Sequence, residues 1–244
     1  MKSNINSIGE KAKKAIQKKI NNNTKNNVLK SFLFLINKEK EKIIQENNKD
    51  IKFASKKKIK SNLIERLVLN QKKIKSLKKS VKDIIRLEDP INKILEKWKR
   101  PNGLLIRKIS TPIGIIGVIY ESRPNVTSDI SSLCFKSGNA VILRGGSEAI
   151  NTNRILASLF RKALKINKVD PNFVQFINDR NRKIVDFMLS KMVNKIDVII
   201  PRGGKNLIKK VQSISKIPII GHLEGICHTY VDKDANLKMA NKIV

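Results

Sequence analysis

The chain has 244 residues, 40% of them hydrophobic and 30% charged, enough for one large or two modest domains with a sizeable apolar core. Lys and Arg number 52 against 20 for Asp and Glu, a formal net charge of +32 that invites a nucleic-acid reading. No apolar run reaches the roughly 18 residues of a membrane-spanning helix, and the two cysteines, Cys134 and Cys227, are too far apart for a C-x-x-C pair, which excludes a disulfide scaffold and a cysteine-rich zinc site. The start, Met1 to Ile20, is studded with lysine and has no apolar signal core, so a cytoplasmic location is expected.

From about Ile5 to Leu87 the spacing predicts helices. Val28, Phe32 and Leu35, then Ile43 and Ile44, recur at helical intervals, and no Gly or Pro interrupts Lys11 to Asp89. The asparagine clusters Asn21 to Asn23 and Asn47 to Asn48 are the expected breaks, and Pro90 and Pro101-Asn102-Gly103 close the helical region. Beyond Gly103 come short β-branched runs that predict strands: Leu104 to Ile109, Ile113 to Tyr120, Ala140 to Leu143, Phe173 to Ile177, Ile196 to Ile200 and Ile217 to Ile220. Helix-length segments separate most of them. Val126 to Ser137 places Val126, Ile130, Leu133 and Cys134 on one face, and Gly138 stands where a glycine would end that helix. Ser147 is the expected N-cap of a helix that turns Ile155, Leu156, Leu159, Phe160 and Ala163 inward. Strands alternating with helices imply an α/β fold, a doubly wound parallel sheet with helices on both faces, which binds ligands at the carboxyl ends of its strands.

The basic excess lies mainly in the helical first hundred residues. Blocks such as Lys56-Lys57-Lys58 and Lys72-Lys73 could neutralise nucleic-acid phosphates, but aromatics make up 5% of the chain and do not interleave with them, so stacking platforms are missing. Solvated helix faces in a chain rich in lysine, asparagine and isoleucine account for the charge more simply, and nucleic-acid binding is kept as the alternative.

Three turns after predicted strands carry the chemistry. The first, Tyr120-Glu121-Ser122-Arg123-Pro124-Asn125-Val126-Thr127, combines a cation, a rigid proline and an amide. Helix capping would need only Asn125 and gives no reason for Glu121 or Arg123, which favours a ligand-facing turn. The second, Leu143-Arg144-Gly145-Gly146-Ser147-Glu148, and the third, Ile200-Pro201-Arg202-Gly203-Gly204-Lys205, each place a basic residue and two glycines before a helix. Glycines let backbone N–H groups approach a phosphate, and the helix N-terminus adds partial positive charge. One such loop is weak, whereas two within one sheet favour a nucleotide or dinucleotide, although neither matches the G-x-G-x-x-G or P-loop fingerprints.

Cys134, on the inner face of its helix, reads as a core thiol. Cys227 lies in Gly221-His222-Leu223-Glu224-Gly225-Ile226-Cys227-His228 beside both histidines, but adjacent strand residues point to opposite faces, so Cys227 and His228 are poor partners. A zinc site at His222 and Cys227 lacks two further ligands, and no metal is expected.

The strings RPNGLLIRKISTPIGIIGVIYESRPNVT (Arg100 to Thr127), CFKSGNAVILRGGSEA (Cys134 to Ala149), DVIIPRGGKNLI (Asp197 to Ile208) and GICHTYVD (Gly225 to Asp232) resemble the γ-glutamyl phosphate reductase family of the aldehyde dehydrogenase superfamily. The helical first hundred residues fit more loosely, through Asn62 to Leu67. The resemblance implies N-terminal helices followed by a Rossmann-like open parallel sheet. It divides the chain into a helical region of the cofactor domain (1–103), an NADP-binding α/β domain (104–224) and the start of a catalytic domain (225–244). The implied reaction is NADPH-dependent reduction of L-glutamyl 5-phosphate to glutamate 5-semialdehyde with release of phosphate, a step of proline biosynthesis.

By the same resemblance Asn125 donates to the oxyanion, Arg144, Gly145, Gly146 and Ser147 hold the adenosine ribose and 2′-phosphate of NADP(H), and Arg202, Gly203, Gly204 and Lys205 hold the other cofactor phosphates. Arg123 faces the acyl phosphate of the substrate. The family's nucleophilic cysteine stands in a motif downstream of GICHTYVD that is absent before Val244. Cys227 is thus a poor candidate for the nucleophile, a missing C-terminal half is expected, and a homo-oligomer is expected of the full-length protein. An aldehyde-oxidising dehydrogenase with Glu224 as general base is the alternative within the superfamily.

Overall fold

The computed structural model describes residues 2–221 and 228–243. Five helices come first: α1 (Lys2–Ile16), α2 (Asn22–Lys38), α3 (Lys40–Lys56), α4 (Ser61–Leu67) and α5 (Gln71–Arg86). The expected break at Asn21 is present, and its side chain accepts the Thr24 N–H at 2.8 Å to cap α2. The expected break at Asn47 is absent. Asn47 is buried inside α3, where its amide donates to Leu67 O at 2.8 Å and to Thr152 Oγ1 at 3.1 Å, and its oxygen accepts the Leu69 N–H at 2.7 Å. The asparagine thus satisfies the backbone of a neighbouring turn instead of ending its own helix. The chain breaks at Glu39 instead, between α2 and α3, with no Gly or Pro to mark it.

A second departure follows at Pro90. Ile94–Lys99 (β1) and Leu105–Ile109 (β2) pair antiparallel, Trp98 opposite Ile106, as a ribbon apart from the main sheet. The predicted strand from Leu104 therefore exists but pairs with β1, a strand the sequence pattern missed because Pro90 and Pro101 mask its short apolar stretch. Almost every ribbon residue is exposed, on both faces.

The main sheet contains β3 (Ile115–Tyr120), β4 (Ala140–Gly145), β5 (Val174–Phe176) and β6 (Val198–Arg202) in the order β5-β4-β3-β6, all parallel. Helices α6 (Pro124–Lys136), α7 (Ile150–Ile166) and α8 (Lys183–Lys191) make the crossovers, and α9 (Lys205–Ile214) follows β6. Right-handed crossovers put α6 and α7 on one face and, because the winding reverses after β5, α8 on the other. The single glycine of α1, Gly9, packs on Met192 and Lys195 just after α8, so α1 shares that second face. The stretch Ile217 to Ile220 forms only a single bridge, Ile199 with Ile219. Near the C-terminus, α10 (Leu237–Ile243) has no buried residue.

Most of the helices share one apolar core with the sheet, whereas Leu67 of α4 packs with Ala54 and Ala149 in a small separate cluster. At the centre of the shared core Phe32, Phe160, Phe135 and Phe173 stack in series with centroids 4.8, 5.8 and 5.5 Å apart, tilted or edge-on, as aromatic quadrupoles prefer. Gly138 ends α6 at φ +72°, with Gly138 N–H to Phe135 O at 3.0 Å and Asn139 N–H to Cys134 O at 2.8 Å. On the same helix Val126 and Cys134 are buried, whereas Leu133, expected to face inward, is 42% exposed. Ser147 does not cap α7; it opens a short 3-10 turn, and the helix begins at Ile150. The cap comes from α3, where Asp50 accepts the N–H groups of Asn151 and Thr152 at 3.2 and 2.8 Å.

Burial pushes the Cys134 thiol up to about 12. An unfolded thiol ionises from about pH 8.5 while the folded one stays protonated, so this group contributes stability at neutral pH that is lost as pH rises through that range toward 12. In a Cys227→Ser background, iodoacetamide at mildly alkaline pH is expected to label Cys134 only after denaturant is added. Labelling of the native chain would contradict its burial.

Candidate functional site at the switch point of the sheet

Register brings the three turns to one edge. Tyr120, the last residue of β3, pairs with Gly145 of β4 on one side and Arg202 of β6 on the other, so all three loops leave the sheet at a common level. The chain winds from β3 outward to β5 and then returns to β6 on the far side of β3, which makes the gap between β3 and β6 the topological switch point. A cleft of about 340 Å³ opens there, lined by Arg66, Glu121, Arg123, Arg202, Gly203 and Gly204 among others. Beside it lies a second cleft of about 420 Å³ with Arg66, Lys73, Ser80, Arg123, Asn125 and Asp129 on its walls.

Two carboxylates join the turns. Glu121, after β3, accepts the Gly204 N–H at 2.9 Å, at the N-terminus of α9. Glu148, after β4, accepts the backbone N–H and the hydroxyl of Ser122 at 2.9 and 2.7 Å. Ser122 needs this support because its φ is +27°, a region unfavourable for a residue with a side chain. At Gly146 an added Cβ would meet the Glu148 carboxylate, and at Gly203 it would meet Glu121 at 2.6 Å, so a side chain at either position would push aside the carboxylate packed over it. Below the site, the buried Tyr120 hydroxyl bonds Thr127 at 2.6 Å, which donates to Asn153 at 2.9 Å, fixing the starts of α6 and α7 to β3. Burial raises the Tyr120 phenol above its ordinary value, so it stays neutral.

Asn125 lies in the first turn of α6 after Pro124 and caps nothing; the cap position belongs to Arg123. Its amide nitrogen donates one hydrogen to Asp129 at 3.1 Å, and Asp129 is also held by Ser80 Oγ at 2.8 Å, so the second hydrogen of the amide remains for a ligand. Arg202, Gly203, Gly204 and Lys205 are exposed. Arg144 is not. Its guanidinium is buried, donating to Gly145 O at 2.9 Å and Arg180 O at 3.4 Å, with Nε lacking an acceptor among the described residues. Burial lowers its pKa, and Glu148 opposes the shift. The structure thus joins Arg123, Asn125 and the Arg202 to Lys205 turn around adjoining clefts, and sets the Arg144 to Ser147 turn on the other side of β3. Cys227 lies outside the described residues. Sequence reasoning passed over Arg66 and Asp129; only their place on helix faces turned to the clefts marks them.

Among the described residues no group of three or more His, Cys, Asp or Glu could hold a metal, and no helix is long and apolar enough to cross a membrane. The parallel sheet, with glycine-bearing turns and a cleft at its switch point, defines a doubly wound α/β ligand-binding fold. The family model for aldehyde dehydrogenases matches residues 1–244, and the chain belongs to the aldehyde dehydrogenase family. Within it, the chain is similar to γ-glutamyl phosphate reductase of Dictyoglomus thermophilum, 42% identical over 98% of this chain and 59% of the relative. The crystal structure of γ-glutamyl phosphate reductase from Thermotoga maritima superposes with a TM-score of 0.89 at 35% identity, covering 96% of this chain and 57% of that one. The Saccharomyces cerevisiae γ-glutamyl phosphate reductase does so at 0.82 and 32%, covering 97% and 60%. The chain therefore spans little more than half the length of these relatives.

Proposed function

We propose that these residues form the cofactor-binding part of an NADPH-dependent reductase that converts L-glutamyl 5-phosphate to glutamate 5-semialdehyde and phosphate in proline biosynthesis. The observation that carries this reading is the meeting of the Arg202 to Lys205 turn with Arg123 and Asn125 at the switch point. The turn fits a dinucleotide: its glycines are exposed, its helix N-terminus faces the cleft, and the Arg202 guanidinium has no partner among the described residues. Bound there, NADPH supplies a hydride.

Asn125 donates its free amide hydrogen to the oxyanion that develops on the substrate carbonyl, and Arg123 holds the acyl phosphate. Arg144 reaches the cofactor's ribose and 2′-phosphate only by giving up its bond to Gly145 O, so its share of affinity is the smaller. The Cys134 thiol is too deeply buried to attack a substrate. The nucleophile is assigned to a segment downstream of the Gly225 to Asp232 stretch, with Cys227 as the alternative, and the 244 residues alone are expected to bind cofactor without turnover. In the longer protein, the exposed β1–β2 ribbon is the proposed contact for further chain and for a homo-oligomer. A cytoplasmic location suits the reading.

Calorimetry with NADPH in moderate salt tests it. Binding is expected, weakened about tenfold by Arg202→Ala and less by Arg144→Ala. No aldehyde-dependent reduction of NADP in phosphate is expected. Absence of NADPH binding would overturn the reading, and turnover lost in Cys227→Ser would move the nucleophile to Cys227.

A further inference from the structure

We propose that Arg66 and Arg123 together form a phosphoryl-binding subsite at the wall between the two clefts, with Arg66 the α4 residue that selects a phosphorylated substrate. The proposal rests on the reading of the site just given and adds a residue to it. Both arginines line both clefts, so the two side chains stand where one cavity passes into the other. Neither guanidinium has a hydrogen-bond or ion-pair partner among the described residues. The carboxylates nearby are already engaged, Glu121 by Gly204 N–H and Asp129 by Ser80 and Asn125.

This asymmetry points to an anion. Two unpaired guanidinium forks beside hydrogen-bonded carboxylates suit a group with several oxygens and more than one negative charge, and phosphoryl oxygens match the planar fork in pairs. The backbone that carries the exposed Arg66 is fixed. The neighbouring Leu67 is fully buried, and Leu67 O accepts from Asn47 Nδ2, so the end of α4 is pinned to α3. A phosphoryl group at this wall would lie beside the Asn125 amide in the second cleft and beside the Arg202 to Gly204 turn in the first.

The test titrates the 244-residue chain with inorganic phosphate at fixed ionic strength, followed by phosphorus NMR line width, with NADPH titrated separately. Saturable phosphate binding is expected, weakened about tenfold by Arg66→Ala and by Arg123→Ala. Arg66→Lys is expected to weaken it as well, because it keeps the charge and loses the fork. Lys13→Ala, which removes the same charge from α1, is expected to leave it unchanged. Unsaturable binding, or equal losses in Lys13→Ala and Arg66→Ala, would overturn the subsite. NADPH binding without Arg66-dependent phosphate binding removes the subsite and leaves the cofactor reading standing. Arg66-dependent phosphate binding without NADPH binding keeps the subsite and removes that reading.

Discussion

Asp50→Ala is expected to lower the unfolding free energy by about 3 to 5 kcal/mol, because it leaves several buried donors without an acceptor at once. Asp50 is fully buried and accepts four hydrogen bonds: from Asn151 N and Nδ2 at 3.2 and 2.8 Å, and from Thr152 N and Oγ1 at 2.8 and 2.7 Å. Thr152 is itself fully buried, so water cannot replace the lost acceptor at its N–H. The carboxylate also sits at the N-terminus of α7, where negative charge is favoured. Asp50→Asn, which keeps one acceptor oxygen, is expected to lose about half as much. Urea unfolding followed by circular dichroism measures both. A loss under about 1 kcal/mol in the alanine variant would show that α7 does not depend on this cap.

Asp89→Asn carries a comparable expected cost, about 3 to 5 kcal/mol, by the separate route of leaving buried cations without their counter-charge. Lys25, 3% exposed, pairs with Asp89 at 2.7 Å, and the same carboxylate accepts the Ile91 N–H at 3.1 Å. Lys136 lies close by, held by Asn22 and Asn26 at 2.9 and 2.7 Å. Burial lowers the pKa of Lys136, Asp89 raises it in part, and Lys25 lowers it again. A lysine whose folded pKa lies below its unfolded value is bound by more protons in the unfolded state, so stability rises as pH climbs through that interval. Removing Asp89 deepens the depression. The deficit of Asp89→Asn is therefore expected to shrink between neutral pH and about pH 10. A deficit unchanged over that range would show that the loss does not run through the charge of these lysines.

What the sequence disclosed followed local rules. Four of the six β-branched runs became β3 to β6, Gly138 ended α6, and Ile155, Leu156, Leu159, Phe160 and Ala163 faced the core, because period and turn chemistry act over a few residues. The turns at Glu121, Arg144 and Arg202 were legible for the same reason, since composition after a strand is a local signal. What escaped depends on contacts across long stretches of chain. Ser147 had the right identity for a cap, but Asp50, about a hundred residues earlier, took the role. Asn47 resembled a breaker until the backbone of Leu67 and Leu69 came to meet it. Arg144 is legible as a basic residue after a strand, but the inward course of its guanidinium against Arg180 O belongs to the tertiary structure alone. Arg66 lay in a stretch already noted, yet its relation to Arg123 exists only where two clefts adjoin.

Glu148 on Ser122 and Glu121 on Gly204 tie loops from three neighbouring strands to one another, each through a backbone N–H. Loops joined this way cannot wander independently. The entropy of ordering them is surrendered once, as the chain folds, and is not charged again to each arriving molecule. Whatever settles at the edge of this sheet meets a single prearranged surface, and disturbing any one loop transmits slack to the other two.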